Sequence, residues 1–227
     1  MFTLVLIDDD IPIQPNDFRD DYRLQLKRQI QAKYVDRVIP NVGLCIEFYD
    51  FVRVKDALIY PGDGKLSNGE AYYKVEFRVI VFKPVNDEWI VGSIASCDKS
   101  GINVSLGFFR DIVIPASNMR LPYAYDNQRE VWVWKYRNAE TRENINFFYE
   151  ANELIRFRVM STRFCDGSRS TGKESVMQVI GAVDRDGLGC VSWWPDNAPF
   201  DEPLGAPGGE APEASSGAPE ENLRSSA

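Results

Sequence analysis

The sequence predicts an α+β unit followed by an all-β barrel and an acidic tail. Three observations carry this prediction. A single amphipathic helix pattern lies among strand patterns in the first 82 residues. Strand patterns alone recur after residue 83, and the segment Lys83-Pro84-Val85-Asn86-Asp87 interrupts the pattern between the two. We therefore expect domains at residues 1–82 and 83–194, with a tail at 195–227.

The first unit begins with residues 2–7, an apolar run that predicts a strand covered on both sides. A helix opening near Pro15 and ending near Lys33 follows, because apolar residues recur at every fourth position and polar residues fill the opposite side. The carboxylates of residues 8–10 between strand and helix are expected in a solvated turn. Further strands are expected over residues 34–39, 43–54, 57–60 and 72–82.

The second unit is organised around residues 97–115. Ile102, Val104 and Leu106 alternate with polar residues, Gly107 interrupts the alternation, and a short strand then runs into Pro115. Two short strands bent about a glycine are typical of a corner in a small barrel. Other strands are expected over residues 89–95, 130–137, 153–162, 176–183 and 188–194, which together favour a five-stranded Greek-key barrel of the OB type with one long insertion.

The tail differs in composition from the rest of the chain. Residues 195–227 hold six prolines, seven acids and one arginine, so they carry a net charge of −6 out of −8 for the whole chain. Such a segment buries too little apolar surface to order itself, and we expect it to be disordered. Because the remainder is close to neutral, any nucleic-acid contact must be a local basic patch.

The composition argues against a catalytic centre. The chain has no histidine, which excludes Ser-His and Cys-His nucleophiles and removes the commonest metal ligand. The four cysteines form no Cys-x-x-Cys pair and suit buried thiols in a reducing compartment. Gly187-Leu188-Gly189 precedes a strand pattern rather than a helix, which favours a turn over a phosphate site. We expect no catalytic residues, no metal and no cofactor, and we find no signal peptide or membrane span in the sequence.

The strand at residues 130–137 carries the best nucleic-acid signal. Trp132, Trp134 and Tyr136 fall on one face and Lys135 and Arg137 on the other, a mixture of aromatic and basic residues that suits single-stranded RNA. Packing inside the barrel is the alternative explanation. A second expected basic pair lies on an exposed strand face, and three more cations flank the barrel corner. The candidate RNA-contacting residues are Lys99, Arg110, Arg120, Lys135, Arg137, Arg156 and Arg158.

Five segments in order resemble one family. They are Asn41 to Ile46, Tyr60 to Gly64, Val104 to Pro115, Val131 to Trp134, and Gly187 to Trp194. This set resembles the OB-containing stalk subunit of eukaryotic DNA-directed RNA polymerase III, a relative of the RNA polymerase II and archaeal stalk subunits. The Leu-Cys-Ile and Ser-Trp-Trp segments point to the polymerase III branch.

The resemblance implies a truncated, RNP-like tip domain that docks on the polymerase core and an OB barrel of the ribosomal S1 type that contacts emerging RNA. It also implies a heterodimer with a smaller helical subunit, a nuclear location and a role in initiation at tRNA and 5S rRNA genes, without catalysis. The alternatives are a free-standing RNA-binding OB protein, a stalk subunit of another polymerase, or a barrel that binds protein only. The insertion at residues 65–72 and the tail depart from the family pattern, so nothing of the family is carried onto them.

Overall fold

The computed structural model describes residues 1–59, 69–138, 142–165 and 176–194. The family segment from Tyr60 to Gly64, the first half of the 65–72 insertion (residues 65–68) and the predicted disordered tail lie outside these ranges. The strands are β1 Phe2–Ile13, β2 Val38–Ile39, β3 Gly43–Ile59, β4 Ala71–Phe82, β5 Trp89–Asp98, β6 Gly101–Ser105, β7 Ile112–Pro115, β8 Tyr123–Asp126, β9 Val131–Arg137, β10 Asn144–Phe148, β11 Leu154–Phe164, β12 Met177–Ala182 and β13 Gly189–Cys190. The helix α1 is Tyr22–Tyr34, and short 3-10 turns occupy Pro15–Asp17, Ala116–Asn118 and Val191–Trp193.

The N-terminal unit is an antiparallel sheet in the order β1-β4-β3-β2 with α1 packed on one face. Leu26 and Ile30 of the helix are fully buried in a cluster with Val75 and Phe77 of β4. The helix begins later than the sequence predicts, because Pro15 starts a separate 3-10 turn and the Asp21 carboxylate accepts a hydrogen bond from the Arg23 amide (3.0 Å). The predicted helix-on-sheet arrangement is therefore confirmed with a shifted start.

The three consecutive aspartates lie inside β1, so the predicted solvated turn is wrong. Asp9 faces the helix and accepts hydrogen bonds from Lys33 Nζ and Tyr34 Oη, both at 2.6 Å. Burial acts to raise the pKa of Asp9, but these two hydrogen bonds outweigh it and the pKa falls below its ordinary value. Strand alternation sends the neighbouring carboxylates to the other face, where Asp8 meets Lys74.

The prediction that β1 is covered on both sides is also wrong. Phe2, Leu4 and Leu6 point away from the helix and are about half exposed. A continuous apolar run is typical of strands buried on both faces, but the helix covers only one face of this sheet. The other face therefore carries exposed apolar side chains beside charged ones.

The C-terminal unit contains a closed five-stranded barrel. Its strands pair in the circular order β5-β6-β7-β12-β11, and β11 pairs again with β5. All pairings are antiparallel except β7 with β12, where Val179 lies opposite Ile112. Alternate residues of these strands, among them Ile102, Val104 and Phe157, are fully buried in one core. The predicted barrel of the OB type is confirmed, and β13 adds to it beside β11.

The predicted corner is present between β6 and β7. Gly107 has a φ of +86°, the left-handed conformation that glycine adopts without steric cost. The turn is closed by a 2.8 Å hydrogen bond from the Leu106 amide to the Phe109 carbonyl. The chain thereby reverses and β7 pairs with β6.

The long insertion between β7 and β11 forms a second sheet in the order β10-β9-β8. The sequence predicts only the middle strand of the three. Trp132 on β9 is buried, and its indole N–H donates to the Asp98 carbonyl on the barrel (2.8 Å). The inserted sheet is thus fixed to the β5–β6 turn.

The segment around residue 190 is shorter in β structure than predicted. The expected strand over residues 188–194 is the two-residue β13 followed by a 3-10 turn. Gly189 has a φ of +105°, and a Cβ there would lie 2.6 Å from the Trp193 ring. The predicted turn at the glycine pair is confirmed, and it leaves room for Trp193 to fold back over the sheet.

The two units meet where β4 ends. Phe82 is fully buried in the barrel's core cluster, and its ring lies 5.2 Å from those of Phe108 and Phe109. The Lys83 amide donates to the Met1 carbonyl (2.8 Å), and the Met1 amino group pairs with Glu88 at 2.6 Å. These contacts join the two units. We keep a domain boundary at residues 83–87 as a proposal.

Candidate nucleic-acid interface

The exposed basic pair expected on β11 is not exposed. Arg156 and Arg158 are each 6% exposed. The guanidinium of Arg158 donates to Asp87 (2.5 Å) and Asp184 (2.8 Å), and Arg156 donates to the Gly187 carbonyl (3.3 Å). The prediction of an exposed face is wrong because the chain segments around residues 87 and 184–187 supply carboxylates and a carbonyl to this face of β11.

Burial acts to lower the pKa of Arg158, and its hydrogen bonds to the two carboxylates reverse this effect, so the pKa is raised. Arg158 is charged and already neutralised within the fold. Both arginines are placed to hold the barrel closed rather than to face solvent.

Lys99 and Arg110 lie at opposite ends of β6. Lys99 is exposed in the turn before this strand, and Arg110 is exposed after the Gly107 corner. Five residues of strand span about 17 Å, so the structure does not bring the two cations together. Lys99 lies beside the inserted sheet, since the adjoining Asp98 carbonyl accepts the Trp132 N–H bond.

Lys135 and Arg137 are exposed near the end of β9. In register they lie opposite Asn146 and Asn144 of β10. The pairing of β8 with β9 reaches only to Trp134, so these cations lie on the part of β9 that extends past β8. Both are accessible to a polyanion.

The alternation of β9 places Trp134 and Tyr136 on the opposite face, where they line a pocket of about 340 Å³. This aromatic pocket is formed by β9, β10, the residues before β8 and the segment from Asp186 to Trp194. Its lining residues are Arg120, Trp134, Tyr136, Phe147, Asp186, Trp193 and Trp194. The Arg120 guanidinium lies 4.7 Å from the centroid of the Trp134 ring and pairs with Asp186.

The rings of the aromatic pocket support one another. Phe147 stacks on Trp134 with centroids 5.2 Å apart and an interplanar angle of 23°. Trp193 lies 5.2 Å from Phe147 and 4.7 Å from the buried Tyr149 ring. The Trp194 indole N–H donates to the Leu188 carbonyl at 3.2 Å. The rings are therefore held in place by packing and a hydrogen bond.

The sequence identifies part of this pocket and misses the rest. It places Arg120 near the barrel corner and shows the aromatic face of β9, but Phe147 is missed because β10 is not predicted. The sequence places Trp193 and Trp194 in an expected strand and in a family segment, but it does not indicate that they line a pocket. The alternation of Ile145 and Phe147 with polar residues is the signal that could have found β10.

A second candidate surface is the outer face of the N-terminal sheet. Phe2, Leu4 and Leu6 on β1 and Tyr49 and Val52 on β3 are all about half exposed, and the Arg78–Asp50 ion pair lies between the two groups. At the barrel end the exposed ring of Phe108 lies 5.9 Å from the Phe2 ring. We name these six residues the apolar strip. Exposed apolar side chains grouped beside polar ones are typical of protein–protein contacts.

Within the described ranges, no three side chains of the types that ligate metals gather at one place. The helix of the described residues is also too short and too polar to cross a membrane.

The sequence is similar to two described families. Residues 8–64 match the SHS2 domain found in the N terminus of Rpb7p/Rpc25p/MJ0397, and residues 88–175 match RNA polymerase III subunit Rpc25. The DNA-directed RNA polymerase III subunit RPC8 of Bos taurus is 36% identical over 209 residues, which cover 86% of this chain and 98% of the bovine protein. The chain belongs to this family of RNA polymerase III subunits.

Two fungal members of the family are similar over the same share of the chain. The RPC8 subunit of Schizosaccharomyces pombe is 35% identical over 207 residues, covering 86% of this chain and all of the relative. That of Saccharomyces cerevisiae is 33% identical over 221 residues, again covering 86% of this chain and all of the relative. The resemblance drawn from five short segments is confirmed, as is the order of an N-terminal SHS2 domain followed by a barrel.

Proposed function

We propose that this chain is a non-catalytic stalk subunit of nuclear RNA polymerase III that acts in initiation at tRNA and 5S rRNA genes. The observation that carries the proposal is the match to relatives named as RNA polymerase III subunits over almost their whole length. The first 82 residues form the tip domain that docks on the polymerase core, and the barrel of residues 83–194 projects from it. The tail from residue 195 has no assigned role in this proposal.

The apolar strip supports a heterodimer with a smaller helical subunit. A helix of the partner would cover Leu4 and Leu6, which the chain's own helix leaves exposed on the opposite face of the sheet. Burying these two half-exposed leucines would contribute favourable apolar burial to a larger contact. A charge placed in the strip should therefore weaken the heterodimer strongly.

Co-purification from the source cell tests this proposal. The tagged wild-type chain should elute with the large polymerase III subunits and a small helical partner. Leu4→Asp, at 46% exposure and opposite Ile80 of β4, should reduce recovery of that partner by at least tenfold, because its carboxylate would be desolvated in the contact.

The matched control is Leu121→Asp, which introduces the same charge at a leucine that is 76% exposed on the barrel side. It should leave recovery unchanged. A wild-type chain that elutes apart from polymerase subunits would contradict the stalk proposal. Equal loss in both variants would contradict only the assignment of the strip.

We further propose that the barrel unit contacts emerging single-stranded RNA through Lys135, Arg137 and Arg120. The exposure of the first two and the ring neighbours of the third support this. Lys99 and Arg110 remain more distant candidates. Arg156 and Arg158 would have to leave their internal partners to take part, so we give them a structural role.

A further inference from the structure

We propose that the aromatic pocket binds an unpaired nucleobase of single-stranded RNA. The inference rests on the proposed RNA contact of the stalk and assigns it to a place outside the barrel strands. The pocket is built by the inserted sheet and by the 3-10 turn at Val191–Trp193. Its volume of about 340 Å³ lies at the lower end of the range that proteins use for small ligands, roughly 300–1,000 Å³.

The first argument is the chemistry of the lining. Trp134, Tyr136, Phe147 and Trp193 have ring centroids 5.2 to 6.3 Å from their neighbours, and most pairs are inclined to each other rather than stacked flat. Tyr136 is 36% exposed and forms the open side. A flat π-system entering beside Tyr136 would stack on ring surface that is now in contact with water.

The second argument excludes a cationic ligand. Clusters of aromatic rings with a carboxylate also bind quaternary ammonium groups. Here the cation position over Trp134 is already taken by the guanidinium of Arg120, and Asp186 is paired with that same guanidinium. A second cation would meet like charge without a free carboxylate in the pocket lining. A neutral aromatic ligand meets no such repulsion.

The third argument is the arrangement of charge around the rings. A nucleobase brings a phosphate with it, and Arg120 at the pocket wall has five N–H donors, of which only part are needed for Asp186. Lys135 and Arg137 alternate with Tyr136 on the same strand and are exposed. An RNA strand crossing the end of β9 could therefore stack one base in the pocket while its neighbouring phosphates meet these cations.

Equilibrium binding of the full-length chain to a labelled oligouridylate tests the proposal by fluorescence anisotropy. Tyr136→Ala should weaken binding by roughly 5- to 150-fold, the range found when one stacking ring is removed. Tyr136→Phe retains the ring and should bind within about twofold of wild type. Circular dichroism and the unfolding midpoint of each variant check that the fold is kept.

A second measurement needs no variant. The same oligonucleotide with abasic riboses keeps every phosphate but has no base to stack. Wild-type chain should bind it as weakly as Tyr136→Ala binds the normal RNA, and Tyr136→Ala should lose little further affinity. Full affinity of the wild-type chain for the abasic strand would overturn the base pocket.

The double variant Lys135→Ala/Arg137→Ala distinguishes the contact of RNA with the cations from the binding of a base in the pocket. Its plot of log affinity against log salt should be shallower by about 0.7 for each phosphate that the missing cations no longer neutralise. If this variant binds weakly while Tyr136→Ala binds normally, RNA meets the cations alone and the pocket inference is wrong. If the wild-type chain shows no salt-dependent RNA binding, the RNA contact itself is wrong, whereas polymerase association is judged separately by co-purification.

Discussion

Arg158 links three parts of the chain through one side chain. It extends from β11 to Asp87, in the segment that leads into the barrel, and to Asp184, just after β12. The arginine is nearly buried, whereas its two carboxylate partners are 66% and 40% exposed. Losing the guanidinium would leave carboxylates that water can reach, so the cost lies between that of an exposed and a buried ion pair.

Arg158→Ala should lower the free energy of unfolding by about 2 kcal/mol, measured by urea denaturation. Lys135→Ala is the exposed control and should stay within about 0.5 kcal/mol of wild type. In RNA binding the order of the two effects should reverse, because Lys135→Ala should bind RNA more weakly than Arg158→Ala does. An unchanged unfolding midpoint for Arg158→Ala together with weakened RNA binding would restore this arginine to the RNA-contacting set.

The residue scale is where sequence reasoning is least successful. Alternation correctly places Arg156 and Arg158 on the same face of a strand, but it does not reveal what covers that face. The covering groups come from residues 87 and 184–187, far away in sequence. The same difficulty applies to Asp9, whose partners Lys33 and Tyr34 lie on the helix. Charges that are neutralised by long-range partners therefore look solvated in the sequence.

At the scale of elements, the β6–β7 hairpin contains two glycines with different roles. A Cβ on Gly101 would lie 2.2 Å from the Ile114 carbonyl oxygen, so this glycine is required by the close approach of β7. At Gly107 a Cβ would meet no described atom within 4 Å, and only the φ of +86° opposes a side chain. A substitution at Gly101 therefore tests steric exclusion, and one at Gly107 tests backbone strain.

Gly101→Ala should destabilise the chain by about 3 kcal/mol, because strands β6 and β7 must move apart to admit the methyl group. Gly107→Ala should cost only about 1 kcal/mol, the strain of a left-handed backbone. Thermal unfolding of both variants measures the difference. Equal losses would show that the hairpin does not depend on the close approach at residue 101.

Elements with strong periodicity are predicted well. The helix, β4 and the β6–β7 corner follow from their own residues, because each has a clear apolar face or a glycine at the bend. β8 and β10 are missed because they are short, with four and five residues, so the alternation in each covers too few positions to stand out. Their strand conformation is stabilised by pairing with β9, which their own residues do not predict. The sequence alone therefore reveals only half of the aromatic pocket.

At the scale of the whole molecule, the proposed tip domain and barrel share core packing around Phe82, and Val38, Leu44 and Ile46 of the N-terminal sheet pack against the same cluster. Phe82 ends a strand of the N-terminal sheet yet is fully buried in the barrel's cluster. All five tryptophans lie between residues 89 and 194, so tryptophan fluorescence reports on the barrel unit, while helical circular dichroism reports on α1. The two units can therefore be followed separately during unfolding.

Phe82→Ala should cost about 4 kcal/mol and should separate the two thermal transitions, which we expect to coincide in the wild-type chain. Phe48→Ala is the matched control, since it removes a buried ring from the N-terminal cluster and leaves the junction intact. Both thermal transitions of Phe48→Ala should move to a lower temperature together. Coincident transitions in Phe82→Ala would show that this ring does not couple the units.

The junction between the N-terminal sheet and the barrel unit is also built to resist bending. β4 runs without a break into Phe82, the Lys83 amide is bonded to the Met1 carbonyl, and the Met1 amino group is paired with Glu88 at the start of the barrel unit. Such a joint resists bending, because bending would separate packed rings and break bonds on both chain segments. If the barrel unit holds RNA as we propose, a force on that RNA would be passed to the N-terminal sheet instead of being absorbed by a flexible linker.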